Sequence, residues 1–194
     1  MKTKLNIAVL SLLAFFAVNA GGQDLEIRGF AEGAFGGRVQ TNNYLNRDYT
    51  LNEMRLQLQL QHYGESTEFY SAIDFLADRI SGNDVVPIIR EASMQFSAAD
   101  WMDVKVGRQT LTWGTGDLLF INDLFPKDYV SFFSGREDQY LKLPSDAIKI
   151  RFFTPYFDMD VVGIPYFDSS NLPVGSRLSY FNPLAGGTVG ETML

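Results

Sequence analysis

The stretch MRLQLQLQ, Met54 to Gln61, alternates an apolar with a polar residue through four repeats. Successive side chains of a β-strand point to opposite faces, so this period predicts a strand with two unlike sides. Met54, Leu56, Leu58 and Leu60 share one side, and Arg55, Gln57, Gln59 and Gln61 the other. The pattern recurs: EFYSAIDF sets Phe69, Ser71, Ile73 and Phe75 against Glu68, Tyr70, Ala72 and Asp74. MDVKVG sets Met102, Val104 and Val106 against Asp103 and Lys105, and AIKIRFF sets Ile148, Ile150 and Phe152 against Lys149 and Arg151. LEIRGFAEGAF is more mixed, because Phe30 shares a face with Glu26, Arg28 and Glu32. Seven strands are predicted, at 25–39, 54–61, 67–78, 88–96, 102–113, 147–154 and 157–166, with helix signals nearly absent.

Alternation of this kind fits a soluble sandwich with leucines in its core, or a membrane barrel with leucines in lipid and glutamines in a wet lumen. Three further features favour the barrel. Residues 1–20 read as a secretory signal peptide, with Lys2 and Lys4, the apolar run LNIAVLSLLAFFAV, and a small-residue cleavage site before Gly21. Connections alternate in length, short at HYGES, SAAD and TPY, long at QTNNYLNRDY, RISGNDVV and 114–146, as in outer-membrane barrels. Aromatic residues flank each short turn: Tyr63 and Phe69, Phe96 and Trp101, then Phe153, Tyr156 and Phe157. Such rings favour the headgroup level of a membrane.

The expected fold is therefore an all-β, antiparallel transmembrane β-barrel in the outer membrane, its leucines in lipid and its glutamines facing a polar lumen. Residues 21–194 form a single domain without linker or repeat. Seven is an odd number of strands and AGGTVGETML follows none of them, so the chain reads as the N-terminal portion of a larger barrel. No cysteine occurs, which excludes disulfides, thiolate metal sites and cysteine nucleophiles. Without Lys2 and Lys4 there are 14 basic residues against 23 acidic, a balance of −9 that argues against a nucleic-acid partner. The expected partners are outer-membrane lipid and a small-molecule solute, with oligomers allowed and no cofactor or metal.

The segment VGRQTLTWGTGDLLFINDLFPKDYVSFFSGREDQYLKLPSDAIKIRFF resembles a family of bacterial outer-membrane barrels loosely similar to porins and alginate-export channels. A G-R-Q strand leads to a W-G-x-x-D turn, then N-D-x-x-P-x-D, then an L-P segment entering the next strand. The matching positions are Gly107, Arg108, Gln109, Trp113, Gly114, Asp117, Asn122, Asp123, Pro126, Asp128, Leu143 and Pro144. The resemblance covers about a quarter of the chain. It implies an outer-membrane channel.

In that frame Arg55, Gln57, Gln59, Gln61, Glu91, Asp103, Lys105, Lys149 and Arg151 are candidate pore-lining residues, and rings of charge set selectivity in pores. Counting from the short turns places Glu91, Lys105 and Lys149 or Arg151 near one another. These charges read either as mutually neutralising wall charges or as a basic ladder for an anionic solute. The connection at 114–146 is long and apolar for a free loop, and long loops are usually functional. It reads as a constriction inside the barrel, carrying Trp113, Asp117, Asn122, Asp123, Lys127 and Asp128, with Asp117, Asp123, Lys127 and Asp128 facing the passage. A cap over the mouth or a dimer contact is the other reading. Asp117, Asn122, Asp123 and Asp128 lack calcium-loop spacing and read as turn and capping residues. His62 is the single histidine and sits at an aromatic-lined turn, without a nucleophile-elbow motif. GAFGGR lacks the lysine of a phosphate loop, and Gly33, Gly36 and Gly37 read as sites of strand bending.

The expected function is passive passage of a small or mid-sized solute, with no catalytic residues. The alternatives are a barrel hydrolase acting on lipid, which needs a serine beside His62, and a soluble or surface-attached all-β binding module.

Overall fold

A computed structural model describes residues 25–37, 39, 49–82, 84–113, 123–172 and 180–189. All seven expected strands are present: β1 (Leu25–Gly37), β2 (Tyr49–Tyr63), β3 (Thr67–Asp78), β4 (Val85–Ala99), β5 (Met102–Gln109), β6 (Ser145–Phe153) and β7 (Asp158–Gly163). They form one antiparallel sheet in the order β1-β2-β3-β4-β5-β6-β7, each strand beside its sequence neighbours. The short turns at 64–66, 100–101 and 154–157 therefore lie at one end, and the connections at 79–84 and 110–144 at the other. Among the described residues no helix is long and apolar enough to cross a membrane.

The two faces of the sheet have unlike environments, with polar side chains covered and apolar ones open. On β2, Arg55 and Gln57 are 5% and 3% exposed, whereas Met54, Leu56 and Leu58 are 70%, 45% and 43% exposed. Ile27 on β1, Val106 on β5, Ile148 on β6 and Val161 on β7 continue the open apolar face. Tyr63, Trp101, Tyr156 and Phe157 stand exposed at the short-turn end.

What buries the polar face is the segment between β5 and β6. It contains a short helix, α1 (Tyr129–Ser134), and a 3₁₀ turn at Asp138–Tyr140. Asp128 caps α1 by accepting from Ser131 N at 2.9 Å, and Gly135 ends it in the left-handed region that glycine adopts without penalty. The segment doubles back on itself, Asp128 N donating to Leu141 O (2.8 Å) and Leu143 N to Pro126 O (3.0 Å). Leu111 and Phe125 from the segment pack with Ala147, Val162 and Ile164, so the small apolar core lies on the polar side of the sheet.

Several boundaries differ from the sequence expectation. β2 and β4 are longer at both ends, and β5 stops at Gln109 instead of Trp113. β7 is confined to Asp158–Gly163, shorter than 157–166. Two short strands were not expected, β8 (Tyr180–Asn182) and β9 (Gly187–Val189), which pair as a separate hairpin. β9 lies within AGGTVGETML, which therefore does contain a strand. The register of β1 against β2 shifts between Gly36 and Gly37, two of the glycines read as sites of strand bending.

Candidate functional site

Four strands contribute to a cluster of buried charge on the polar face. Glu53 and Arg55 stand on β2 and Asp74 on β3, with side-chain exposures of 3%, 4% and 0%. A charge that leaves water needs a partner and hydrogen bonds to be tolerated. Arg55 Nη1 donates to Asp74 Oδ2, and its Nη2 lies 3.5 Å from Glu53 Oε1. Gln57 Nε2 donates to Asp74 Oδ1 at 2.7 Å and its own oxygen accepts from Gln59 Nε2. Alternation brings these groups together, because Gln57 and Asp74 are direct cross-strand partners.

The β5–β6 segment completes the cluster. Arg136 donates to Glu53 from Nε (3.0 and 3.2 Å) and from Nη2 (2.6 Å), a forked geometry suited to a carboxylate. Its Nη1 donates to Ser131 Oγ at 3.1 Å, and Ser131 Oγ donates to Asp128 at 2.7 Å. The Tyr140 ring lies 3.8 Å from the Arg55 guanidinium carbon and 5.1 Å from that of Arg90. Burial pushes the Tyr140 hydroxyl up to about 12. Tyr140 Oη, Arg55 Nε and Glu32 Oε2 are buried without a hydrogen-bond partner among the described residues.

Sequence reasoning missed Glu53, Arg136 and Tyr140, and it missed Arg90 for a geometric reason. Strict alternation sends it to the apolar face, since Glu91 next to it points to the polar side. A β-bulge opposite Ala72 and Ile73 inserts one extra residue into β4, and both Arg90 and Glu91 then line the same cleft. Arg90 Nη2 donates to Gln139 O at 2.8 Å and lies 3.4 Å from Lys142 O. The adjacent charged pair in an otherwise alternating strand was the available signal. This cleft, of about 360 Å³, separates the segment from the wall and is lined in part by Gln57, Tyr70, Arg90, Glu91 and Asp138.

The G-R-Q motif has structural work beside that bulge. Gly107 has φ of 118°, and a Cβ there would stand 2.3 Å from Ala92 O, so only glycine fits. Arg108 Nε donates to Ile89 O (2.9 Å) and its Nη1 reaches Asp146 at 3.3 Å. Gln109, the last residue of β5, is 1% exposed and its Nε2 donates to Ala147 O on β6 at 3.1 Å.

The candidates of the long connection behave differently from expectation. Asp123, Lys127 and Asp128 do not present charge to open space. Lys127 Nζ pairs with Asp123 at 2.6 Å and donates to Phe125 O at 2.9 Å, with both side chains buried. Asp128 is committed to capping α1, and Asp123 Oδ1 accepts from Phe125 N at 3.2 Å, so the turn and capping role expected for these two is what they perform. Trp113 packs edge-on against Phe125, ring centres 4.9 Å apart. Asp117 and Asn122 lie outside the described residues, as does the whole of 1–20.

Near the short-turn end a second, smaller cavity of about 190 Å³ collects Gln95, Asp103, Lys105, Lys149 and Arg151. Glu91 was expected here and is not. The register puts Gln95 opposite Lys105, while Glu91 sits higher, opposite Ala72. Asp160 on β7 accepts from Lys149 and Arg151, each at 2.8 Å. Gln61 reaches Glu68, its Nε2 donating at 2.8 Å. His62 lies opposite Phe69 and Leu25, its Nδ1 buried without a partner among the described residues.

No protein-family model matches the chain, and no curated protein matches it.

Proposed function

We propose that this chain forms the wall of an outer-membrane β-barrel and that a small or mid-sized solute passes passively along its polar face. The observation that carries the reading is the reversed polarity of the sheet. Fully burying a leucine or methionine is worth roughly 1.5–3 kcal/mol, so a water-soluble fold would turn Met54, Leu56 and Leu58 inward. Here arginine, glutamine and aspartate are enclosed and those three residues are open, the arrangement that lipid outside and water inside would favour. Exposed aromatics at the short-turn end fit a headgroup girdle. The resemblance of the Gly107-to-Pro144 motif to outer-membrane channels, and the signal-like residues 1–20, agree with export to that membrane.

In this reading the segment at 110–144 narrows the passage. It rests on the polar face through Arg136 and Tyr140, and the cleft beneath Arg90 and Glu91 would belong to the lumen. The wall contributes position, hydration and charge, and the solute undergoes no chemistry.

The test is single-channel conductance of the full-length protein in planar bilayers, with and without residues 114–146, and with Arg136→Ala as a variant that leaves the wall intact. Discrete conductance steps that grow on deletion, or flicker in Arg136→Ala, are expected. Silent bilayers from folded, heat-modifiable protein overturn the open-passage reading.

A further inference from the structure

The bulge in β4 sets two opposite charges side by side in the cleft between the β5–β6 segment and the wall. Glu91 stands opposite Ala72 and Ile89 opposite Ile73, so Arg90 is the extra residue, and both charged side chains line the cleft. Bulges of this kind re-aim a side chain, and they are over-represented next to active sites. Neither charge meets an opposite one where it stands. Arg90 spends Nη2 on the carbonyls of Gln139 (2.8 Å) and Lys142 (3.4 Å), and its guanidinium carbon lies 5.1 Å from the centre of the Tyr140 ring. These contacts position the guanidinium without giving it a carboxylate, and Nε and Nη1 have no hydrogen-bond partner among the described residues. Glu91 is half-buried, and its carboxylate has neither a cation within ion-pair distance nor a hydrogen-bond donor among the described residues. Lys142 and Asp138 line the same cleft, so two cations face two carboxylates and the lining as a whole is neutral. A lone anion or a lone cation entering here would meet a like charge beside its partner, whereas a solute that carries both would not.

We infer that Arg90 and Glu91 form a binding subsite for a zwitterionic solute of the α-amino-acid class, its carboxylate on Arg90 and its ammonium on Glu91. The inference rests on the cleft opening to a water-filled passage, and it deepens that reading by naming the solute class. The free guanidinium donors of Arg90 supply charge-assisted hydrogen bonds to a carboxylate. An ammonium is a donor only, and the unpaired Glu91 carboxylate is the acceptor it needs. The hydroxyls of Tyr70 and Thr110 on the same lining add neutral donors and acceptors. Small-molecule pockets run to roughly 300–1,000 Å³, and a cleft of about 360 Å³ lies at the lower end of that range, which suits a single amino acid better than a longer peptide.

The full-length protein folded in detergent micelles is titrated at neutral pH with ¹³C-glycine and, separately, with ¹³C-acetate and ¹³C-methylammonium, which each carry one of the two charges. Line broadening is followed for wild type, Arg90→Gln and Glu91→Gln. Saturable broadening of glycine is expected, with acetate and methylammonium each about tenfold weaker, and glycine binding should weaken about tenfold in either variant. Glu91→Gln should at the same time bind acetate no less well than wild type, a selective loss that a damaged fold would not produce. Absent glycine broadening, acetate or methylammonium binding equal to glycine, or glycine binding within twofold of wild type in Glu91→Gln overturns the inference. Bilayer recordings separate the two readings. Conductance without glycine binding overturns the subsite alone, whereas glycine binding by a protein silent in bilayers supports the subsite and overturns the passage.

Discussion

Replacing Arg136 by alanine tests what holds the β5–β6 segment on the wall. Arg136 makes three contacts with Glu53, at 3.0, 3.2 and 2.6 Å, and the two side chains are 9% and 3% exposed. Removing one member of a buried pair typically costs 3–5 kcal/mol, mostly because the surviving charge is stranded. Glu53 keeps its 3.5 Å contact with Arg55 and Arg136 is not fully enclosed, so the low end applies, about 3 kcal/mol. That corresponds to roughly a hundredfold rise in the population of the undocked segment. The loss is local, so global unfolding is a poor readout and amide hydrogen exchange a good one. The amides of Asp128, Arg136, Tyr140 and Leu141, which donate within the segment, should exchange roughly a hundredfold faster in Arg136→Ala, while those of β2 and β3 keep their protection. Arg136→Lys retains charge without the fork and should fall between. In a double-mutant cycle with Glu53→Gln the coupling should exceed about 1 kcal/mol. Segment exchange within twofold of wild type in Arg136→Ala would refute the reasoning and shift the anchoring to Tyr140 and the Phe125 cluster.

Three further outcomes are expected. Leu58→Arg should destabilise the protein folded in lipid vesicles by about 2–4 kcal/mol, against less than ~0.5 kcal/mol for an exposed surface position in water, and a neutral result in vesicle-unfolding titrations would contradict a lipid-facing β2. Gly107→Ala should cost at least ~1–3 kcal/mol, because the Cβ meets Ala92 O at 2.3 Å in a backbone conformation alanine avoids, and a variant with an unchanged melting temperature would count against the tight β4–β5 approach. Tyr140 is raised from the unfolded value near 10 to about 12, so its contribution is fully present below pH 10 and is lost as pH rises through about 12, on the order of 3 kcal/mol in all. Tyrosinate absorbance of wild type minus Tyr140→Phe should show this late step, and a difference titrating at pH 10 would disprove the buried setting.

The strand content was legible because period-two alternation is a direct projection of the pleat onto sequence. Thr67–Asp78 carries that signal and its bounds agree with expectation. The signal fails where geometry departs from the pleat. The β4 bulge transfers Arg90 to the polar face, and no local composition rule encodes which residue is extra. Gln109, at the end of β5, donates to Ala147 O, a contact with a strand that begins beyond the long connection. Lys127 and Asp123 look like surface charges in sequence, and their burial depends on the segment closing upon itself through Pro126 and Leu143. The lower cavity was partly legible, since Lys105, Lys149 and Arg151 share a face by alternation, but its separation from Glu91 depends on the β4–β5 register.

The reach of Arg136 across the sheet also imposes an order of assembly. The seven strands pair only with sequence neighbours, so each hairpin can close as it is made. Arg136, by contrast, meets a carboxylate 83 residues earlier, and the carbonyl of Gln139 meets an arginine 49 residues earlier. The first contact needs β2 in place and the second needs β4. Full docking of the segment therefore needs both strands in place. A one-residue slip would turn Glu53 and Arg55 to the outer face and leave Arg136 nothing to grip. A misregistered chain should then betray itself by a connection open to proteolysis.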